Sequence, residues 1–334
     1  MTPRGVSAPG KAFLCGEYAV LSGAPSIVAA VGTRVVAKWT RLPPAPERLP
    51  PEANGAIAAA EGHFGAVRHH LSVDTRRLYD GPKKLGLGSS AAVAAASAAA
   101  IAALHGRDLE QDETRDRVFA AAWRGHSSVA PQGSGADVAA ATYGGFLWFR
   151  ALDGEPIVKP LDPPSSLVML LIWTGDPVRT TDLLARVSRL RAQDPKRHDR
   201  CMAALAEQAT EFAHAFRSDD GAGVIRRAKA YNTCMGALGV AAQAPIVNSK
   251  LRRVAAWAES HGGAAKPSGA GGGDLAVAFF SDPDAAERFA AACKNDGLRP
   301  LRAEMGAEGV RLLRVEESPI HPRLRRRTRW PHTL

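Results

Sequence analysis

One short segment of the chain combines glycine and serine in a way that suits the binding of an anion. Residues 84–92 read Lys-Leu-Gly-Leu-Gly-Ser-Ser-Ala-Ala and lead into an alanine-rich stretch that reaches Leu104. Alanine has the highest helix propensity, so the pattern predicts a loop followed by a helix. The first N–H groups of a helix lack internal partners and carry partial positive charge, so small residues here would leave them open to a phosphate. A turn of this composition could equally serve only as a helix cap.

Two further segments are rich in small residues. Residues 8–11 read Ala-Pro-Gly-Lys and are followed by Gly16-Glu17-Tyr18, and residues 266–274 read Lys-Pro-Ser-Gly-Ala-Gly-Gly-Gly-Asp. A flexible linker is one interpretation of so much glycine. The segment at 266–274 lies between a predicted helix and a predicted buried strand, however, where close approach of the backbone to a ligand explains it better. No segment fits the Walker A pattern or GxGxxG after a strand, which argues against a P-loop enzyme and a dinucleotide-binding dehydrogenase.

The elements that must position these segments fall into two halves. The spacing of apolar residues and the positions of turn residues predict strands at 12–15, 26–31, 35–39, 71–74 and 143–150. They also predict a loop at 41–55 and helices at 56–68, 91–104 and 110–126, and residues 133–141 are expected to be helical or extended. After a Pro/Ser-rich boundary at 160–166 they predict strands at 167–173, 275–280 and 310–315, and helices at 182–192, 199–217, 220–238, 248–261 and 284–296. The pattern indicates an α+β fold with domains at residues 1–163 and 164–320 and a basic, flexible tail at 321–334.

Charge and composition narrow the class of protein. The 334 residues carry a formal net charge of +10, and the tail from His321 contributes five arginines and no acid. A basic tail could bind nucleic acid or an acidic lipid, but a solvated terminus is the better interpretation because interleaved aromatic residues are missing except Trp330. The rest of the chain, still mildly basic, suits an anionic small-molecule substrate. On balance the sequence predicts a small-molecule partner and neither a nucleic-acid nor a membrane partner, and it leaves open whether the protein is a monomer or a homodimer.

The cysteines and the N-terminus bear on location. Four cysteines are spread widely along the chain and form no CxxC pair, which is typical of reduced thiols without a metal site. The first residues lack the apolar core of a secretory signal, and no apolar run reaches the roughly 18 residues of a membrane span. These features predict a cytoplasmic protein.

Together, the three small-residue segments resemble the motifs of the GHMP kinases. The segments at 8–20, 84–92 and 266–274 have that family's order and spacing, and the resemblance covers nearly the whole chain. It implies an N-terminal α/β domain and a C-terminal ferredoxin-like α+β domain, with ATP in the cleft between them. It also implies Mg²⁺ as a cofactor.

Within this family, finer details resemble the phosphomevalonate kinases. Gly16-Glu17-Tyr18 stands where mevalonate kinases usually have Gly-Glu-His, and residues 132–140 resemble the Gly-Ser-Gly-x-Asp-Val-Ala segment of the phosphomevalonate kinases. This resemblance implies ATP-dependent phosphorylation of the phosphate of 5-phosphomevalonate. The alternatives are phosphorylation of the mevalonate 5-hydroxyl and a nucleotide-binding relative that has lost catalysis.

The resemblance also implies roles for individual residues. Lys11 and Asp137 are the implied catalytic residues, with Asp137 as base or orienter of the acceptor, and the Ser89 hydroxyl is implied to face Mg²⁺. The implied ATP-binding residues are Gly86, Leu87, Gly88, Ser89, Ser90, Ala91 and Ala92. The implied substrate-binding residues are Lys11, Tyr18, Ser134, Thr180, Thr181, Lys266, Ser268, Gly269, Ala270 and Gly271. Helix capping is the alternative for Asp137, Ser89, Thr180 and Thr181, and a solvated side chain is the alternative for Lys11 and Lys266.

One position departs from the wider family. Mevalonate and homoserine kinases carry a glutamate upstream of this aspartate that helps to bind Mg²⁺, whereas this chain has His126 eleven residues before Asp137. Similar histidines occur in phosphomevalonate kinases, so the departure supports that comparison. It leaves open which protein groups bind the metal, and His126 is otherwise expected to be structural.

Overall fold

The computed structural model describes residues 5–41, 48–152, 155–176 and 179–313. Its strands are β1 (Gly5–Cys15), β2 (Ser26–Thr40), β3 (His70–Asp74), β4 (Tyr79–Asp80), β5 (Lys83–Lys84), β6 (Phe146–Leu152), β7 (Glu155–Leu161), β8 (Val168–Trp173), β9 (Ala264–Pro267), β10 (Leu275–Phe280), β11 (Arg299–Leu301) and β12 (Arg311–Leu312). Its α-helices are α1 (Pro51–Phe64), α2 (Ser89–Leu104), α3 (Asp112–Ser127), α4 (Ala136–Tyr143), α5 (Thr180–Gln193), α6 (Pro195–Arg217), α7 (Gly221–Ala241), α8 (Ser249–Ser260) and α9 (Pro283–Asn295). The mixture of helix and strand predicted from the sequence is confirmed.

The first sheet is antiparallel and has the order β12-β1-β2-β6-β7, with β3 paired to one end of β2. Strand β1 is buried over its whole length because β2 and β12 flank it and α2 and α4 contact it. Helix α2 is buried from Ala91 to Ala102, and its small side chains let it approach the sheet and α1, α3 and α4 closely. This packing holds the start of α2 against the middle of β1.

The second sheet has the order β11-β8-β10-β9 and is also antiparallel. Strand β10 lies inside it and is buried at all six positions. Aromatic rings from the helices cover the sheet, with ring centroids of Phe212 and Phe279 5.7 Å apart and those of Phe280 and Phe289 5.1 Å apart. The glycine-rich segment 268–274 joins β9 to β10, so both of its ends are anchored in this sheet.

After β11 the chain returns to the first sheet. The Gly32 amide donates to the carbonyl of Glu304 at 2.9 Å, and β12 pairs with β1 through the partners Val6 and Leu312. The described part of the predicted strand at 310–315 therefore belongs to the sheet of the first half, although the predicted second domain includes it. The division at residue 163 remains a prediction.

Arg34 of β2 fixes this returning segment. Its side chain is buried and donates to the Ser7 hydroxyl at 2.9 Å, to the Glu308 carbonyl at 2.7 Å and to the Gly309 carbonyl at 2.5 Å. A guanidinium group offers donors in a fixed planar arrangement, which suits several carbonyls held at set positions. Arg34 thus joins β1, β2 and the segment that leads into β12.

Replacing Arg34 with methionine is expected to lower the free energy of unfolding by about 3 kcal/mol, since several buried acceptors lose a charged donor at once. Equilibrium unfolding in urea, followed by circular dichroism, measures the change. The exposed Arg107→Met is the matched control and should change stability by no more than about 0.5 kcal/mol. Equal stability of the two variants would show that the Arg34 contacts contribute nothing net.

Several predicted boundaries were wrong for identifiable reasons. Strand β1 begins at Gly5 rather than at residue 12, so residues 8–11 lie inside a strand, and the strands expected at 26–31 and 35–39 are one continuous β2. Helix α1 starts at Pro51, within the predicted loop at 41–55, because proline fits the first helical turn. Strand β7 was missed altogether, since its prolines and charges are typical of a sheet edge, where it lies.

Three further predictions concern the cysteines, membrane-spanning segments and the basic tail. None of the four cysteines forms a disulfide. Among the residues that the structure describes, no helix is both long and apolar enough to cross a membrane. The basic tail at 321–334 lies outside the described residues.

Candidate active site

The start of α2 lies against β1 at the position of Lys11. The Lys11 amide donates to the Leu87 carbonyl at 2.8 Å, and a Cβ added at Gly10 would lie 2.8 Å from that same oxygen. Gly88, the residue before α2, has φ +71°, a left-handed conformation that glycine adopts without strain. Small residues therefore allow the turn to fold down onto the strand while the first amides of α2 stay accessible.

A cavity of about 550 Å³, which we call the α2 cavity, opens at this helix start. It is lined by Lys11, Leu78, Pro82, Lys84, Gly86, Leu87, Gly88, Ser89, Ser90, Asp137, Arg179, Thr180 and Asp274. The helix N-terminus and the basic side chains of Lys11, Lys84 and Arg179 suit an anion, and the acids Asp137 and Asp274 also line the cavity.

A second, smaller cavity of about 180 Å³ lies beneath the glycine-rich segment, and we call it the loop cavity. It is lined by Lys11, Phe13, Glu17, Tyr18, Val20, Leu21, Gly86, Gln132, Gly133, Ser134, Asp137, Thr180, Leu184, Ser268, Gly269, Ala270, Gly271 and Asp274. It adjoins an outer cavity of about 590 Å³, which shares Tyr18, Ser134 and Leu184 with it and also contains Arg191 and His198.

Lys11 is a buried cation at the boundary of the α2 and loop cavities. Only 8% of the residue is exposed, and its ammonium lies 5.3 Å from the centre of the Phe13 ring. Burial lowers the pKa of Lys11 from its ordinary value of 10.5, and the carboxylates of Asp137, Glu17 and Asp274 act in the opposite direction. The surrounding carboxylates therefore favour the charged form of an otherwise poorly solvated lysine.

Asp137 lies in the first turn of α4 and lines the same two cavities as Lys11. The preceding Gly135 has φ +85°, and one carboxylate oxygen of Asp137 accepts from the Val138 amide at 3.0 Å. The other oxygen lies 3.7 Å from Nε2 of His126, which is itself 3.2 Å from the Ser90 hydroxyl. His126 thus links the start of α2 to Asp137, and its side chain is buried rather than aimed into solvent.

Tyr18 holds the glycine-rich segment over the loop cavity. Its hydroxyl donates to the Ala270 carbonyl at 2.5 Å, and its backbone has φ +62°, which is unusual for a non-glycine residue. The Ser268 hydroxyl is buried on the same cavity wall and has no hydrogen-bond partner within the described part of the chain. A bound ligand with a polar group at this wall would satisfy it.

Most of the residues predicted for the site do line these cavities. The predicted residues on the cavity walls are Lys11, Tyr18, Gly86, Leu87, Gly88, Ser89, Ser90, Ser134, Asp137, Thr180, Ser268, Gly269, Ala270 and Gly271. Four predicted residues lie elsewhere: Ala91 and Ala92 are buried inside α2, Thr181 is exposed beside the site, and the ammonium of Lys266 binds Glu17. The roles of all these residues remain predictions.

Other lining residues were not predicted. Asp274 is the last residue of the segment 266–274. A Cβ added at Gly86 would lie 2.9 Å from the Cβ of Asp274, so the segments 84–92 and 266–274 are in contact here. Arg179 precedes α5 and lines the α2 cavity. The acid at the end of the glycine run was a signal for Asp274, whereas nothing local distinguishes Arg179 from the other arginines of the chain.

Comparison with known proteins assigns the family. The family model described as GHMP kinases N terminal domain matches residues 53–145, and the model described as GHMP kinases C terminal matches residues 202–298. The chain belongs to the GHMP kinase family, whose members are ATP-using phosphotransferases.

Individual relatives come from the mevalonate kinases and the phosphomevalonate kinases. The chain is 32% identical over 231 residues to a phosphomevalonate kinase of Streptomyces sp. (strain CL190), a match that covers 63% of this chain but only 60% of that protein. It is 30% identical over 244 residues to a mevalonate kinase of Pyrococcus horikoshii, covering 70% of this chain and 67% of the other. The structure of Streptococcus pneumoniae phosphomevalonate kinase in complex with phosphomevalonate and AMPPNP has the same fold, with a TM-score of 0.75 at 18% identity and coverage of 90% and 99%.

Gly88→Ala tests the packing of the turn on Lys11. A Cβ at this position would lie 2.8 Å from both Cγ and Cε of Lys11, so the substitution must displace that side chain as well as strain the backbone. We expect stability to fall by about 2 kcal/mol and the KM for ATP to rise about tenfold. Gly106→Ala is the matched control, because Gly106 has φ +68° but nothing within 4 Å of an added Cβ. Identical kinetics in the two variants would contradict the assigned position of Lys11.

Proposed function

We propose that the protein transfers the γ-phosphoryl group of ATP to the phosphate of 5-phosphomevalonate. The observation that carries this proposal is that the α2 cavity and the loop cavity meet at one shared wall containing Lys11 and Asp137. The described residues that line both cavities are Lys11, Gly86, Asp137, Thr180 and Asp274. A nucleotide in the α2 cavity and an acceptor in the loop cavity would then present their reacting atoms to each other across this wall.

Phosphoryl transfer depends on positioning and on neutralising charge more than on covalent help from the protein. The amides at the start of α2, from Gly88 to Ser90, would bind the nucleotide phosphates. The ammonium of Lys11 would stabilise the charge that develops on the transferred group. The segment over the loop cavity, anchored by Tyr18, would keep the acceptor in place.

The role of Asp137 follows from the acceptor. A phosphate monoester has a second pKa of about 6, so its attacking oxygen is already ionised at neutral pH. Asp137 then has no proton to remove, and its carboxylate would serve to keep Lys11 charged. With an alcohol acceptor, the same carboxylate would be placed to accept the hydroxyl proton.

The donor atoms at the helix start also suit the Mg²⁺ that accompanies ATP. Ser89 lines the α2 cavity and offers a hydroxyl oxygen, and Mg²⁺ prefers oxygen ligands from one or two protein groups together with phosphates and water. When bound, the ion would neutralise charge on the β- and γ-phosphates. No group of three or more histidine, cysteine, aspartate or glutamate side chains suited to a metal occurs among the described residues.

Phosphorylation of the mevalonate hydroxyl is the second candidate. The described lining of the loop cavity contains one lysine, Lys11, against the three carboxylates of Glu17, Asp137 and Asp274, so these walls are not strongly basic. Mevalonate kinases are also among the relatives. The phosphate acceptor is supported by the similarity to the Streptomyces enzyme over 231 residues and by Lys84 and Arg179 in the adjoining α2 cavity.

A coupled assay of ADP release with a panel of acceptors tests the proposal. We expect kcat/KM for phosphomevalonate to exceed that for mevalonate and for homoserine by at least about 10³-fold, since an acceptor without the phosphate would leave Lys11, Lys84 and Arg179 without an anionic partner. Preferred turnover of mevalonate would establish the second candidate instead. ATP binding without turnover of any acceptor would identify a nucleotide-binding relative that has lost catalysis.

A further inference from the structure

Lys266 lies at the start of the glycine-rich segment, yet its charge does not face the acceptor. Its side chain is fully buried, and the ammonium donates to a Glu17 carboxylate oxygen at 2.5 Å and to the Pro267 carbonyl at 2.6 Å. The ammonium also lies 5.6 Å from the centre of the Tyr231 ring. Lys266 is absent from the described lining of both the α2 and the loop cavities.

Glu17 connects this lysine to the loop cavity. The same carboxylate oxygen that binds Lys266 accepts from the Gly269 amide at 3.2 Å. The Tyr231 hydroxyl donates to the Glu17 carbonyl at 2.6 Å, which fixes the backbone of the residue from the side of α7. The pair therefore ties the end of β1 to the backbone of the segment that covers the acceptor.

Stability alone is a poor explanation for this arrangement. Removing two charges from water is costly, and replacing a buried ion pair by apolar residues is often neutral or stabilising. Here the cost is increased because the second carboxylate oxygen of Glu17 is buried without a hydrogen-bond partner among the described residues. What the pair supplies is a fixed direction for the oxygen that binds the Gly269 amide.

We propose that Lys266 is a positioning residue, which orients Glu17 so that residues 268–271 are held over the acceptor, and that it does not contact the acceptor itself. The expected kinetic effects rest on the proposed function, whereas the expected structural effect on residues 268–271 does not. Without Lys266, the buried carboxylate loses the ammonium that binds it directly and turns toward water, and the Gly269 amide loses its acceptor. The segment 268–271 then loses its fixed position.

Lys266→Met tests this by kinetics. We expect the KM for the acceptor to rise about tenfold or more while the KM for ATP changes by less than about twofold, because misplacement of a covering segment affects only the ligand beneath it. The rise should be similar for phosphomevalonate and for mevalonate. Lys229→Met is the control, since it removes a 2.8 Å ion pair with Glu259 on the surface of the same half of the chain, and it should change neither constant.

The double variant Glu17→Gln/Lys266→Met covers the case in which the single variant folds poorly. Glutamine keeps a carbonyl oxygen for the Gly269 amide and carries no charge that needs a partner. We expect the acceptor KM of the double variant to match that of Glu17→Gln alone within about threefold, because Lys266 acts on the acceptor only through Glu17. An effect of Lys266→Met confined to the phosphorylated acceptor, or a double variant with an acceptor KM well above that of Glu17→Gln, would overturn the proposal, since either shows that Lys266 acts on the acceptor by another route.

Amide hydrogen exchange separates this proposal from the proposed function. Without any substrate, peptides containing residues 268–271 should exchange at least about tenfold faster in Lys266→Met than in the unmodified protein, as a hydrogen bond that protected Gly269 is lost. Unchanged exchange in this segment would overturn the positioning role. Faster exchange in a protein that fails to phosphorylate phosphomevalonate would retain the positioning role and reject only the proposed acceptor.

Discussion

Asp137→Asn is expected to lower kcat by about 10³-fold with little change in the Kd for ATP. The carboxylate is the largest of the favourable charges acting on Lys11, and it faces the shared wall of the two cavities. Asparagine keeps the shape and the hydrogen bond from the Val138 amide but removes the charge. Steady-state kinetics and calorimetric titration with an ATP analogue give the two quantities.

Asp116→Asn is the matched control for this variant. Asp116 is an exposed carboxylate of α3 that accepts from the Tyr143 hydroxyl at 2.8 Å, and it lines neither the α2 nor the loop cavity. Its substitution should leave kcat within about twofold of the original value. Turnover by Asp137→Asn at the rate of this control would remove Asp137 from the mechanism.

Lys11→Met has the largest expected effect, a fall in kcat of about 10⁴-fold, because a cation at the transferred group is among the strongest single contributions to phosphoryl transfer. The substitution also removes the positive charge that interacts with the carboxylates of Asp137, Glu17 and Asp274. Single-turnover measurements at saturating ATP isolate the chemical step. Lys38→Met, a substitution in the neighbouring strand β2, provides the control and should retain activity. A variant without Lys11 that still transfers phosphate rapidly would refute its assignment.

The lowered pKa of Lys11 predicts opposite effects of alkaline pH on activity and stability. Activity requires the ammonium, so turnover should fall as the pH rises through the lowered pKa, below the ordinary value of 10.5. Between the folded and unfolded pKa values the unfolded chain binds more protons, so the contribution of Lys11 to unfolding free energy rises with pH over the same window. Lys11→Arg should move the alkaline limb of the activity profile to higher pH, because arginine stays charged. An unchanged limb in this variant would assign the titration to another group.

The parts of the site that could be predicted from the sequence are short segments whose own composition determines their backbone conformation. The run from Gly86 to Ser90 before an alanine-rich helix has a direct physical meaning, and the structure places it at a helix start. The segment at 268–271 is likewise recognisable by its glycines, since the structure shows positive φ at Gly269 and Gly271. Local composition sufficed because both features depend on what the backbone can adopt.

Long-range pairing could not be predicted in the same way. Lys11 and Asp137 were brought together only by resemblance to a family, because 126 positions separate them in the chain. Glu17 and Lys266 are separated by 249 positions, and their sequence neighbours give no indication that they meet. The resemblance suggested Lys266 as a substrate ligand, whereas its burial depends on how the end of β1 packs against β9 and α7.

Strand β7 and the return of the chain to β1 are parts of the fold that could not be predicted from local sequence. Pro156 and Pro160 make β7 atypical by composition, and only its position at the sheet edge makes them tolerable. The segment leading into β12 is fixed by Arg34, whose acceptors in that segment are the backbone carbonyls of Glu308 and Gly309. Backbone carbonyls are present at every residue, so no sequence signal identifies which of them an arginine will bind.

The central claim is that a nucleotide at the start of α2 and an acceptor beneath residues 268–271 meet between Lys11 and Asp137. A crystal structure with a non-hydrolysable ATP analogue and phosphomevalonate tests it most directly. The account predicts the γ-phosphate within hydrogen-bond distance of the amides at Gly88–Ser90 and of the Lys11 ammonium, with the acceptor phosphate in the loop cavity beside Asp137. A triphosphate bound instead in the outer cavity near Arg191 and His198, with the start of α2 unused, would contradict it.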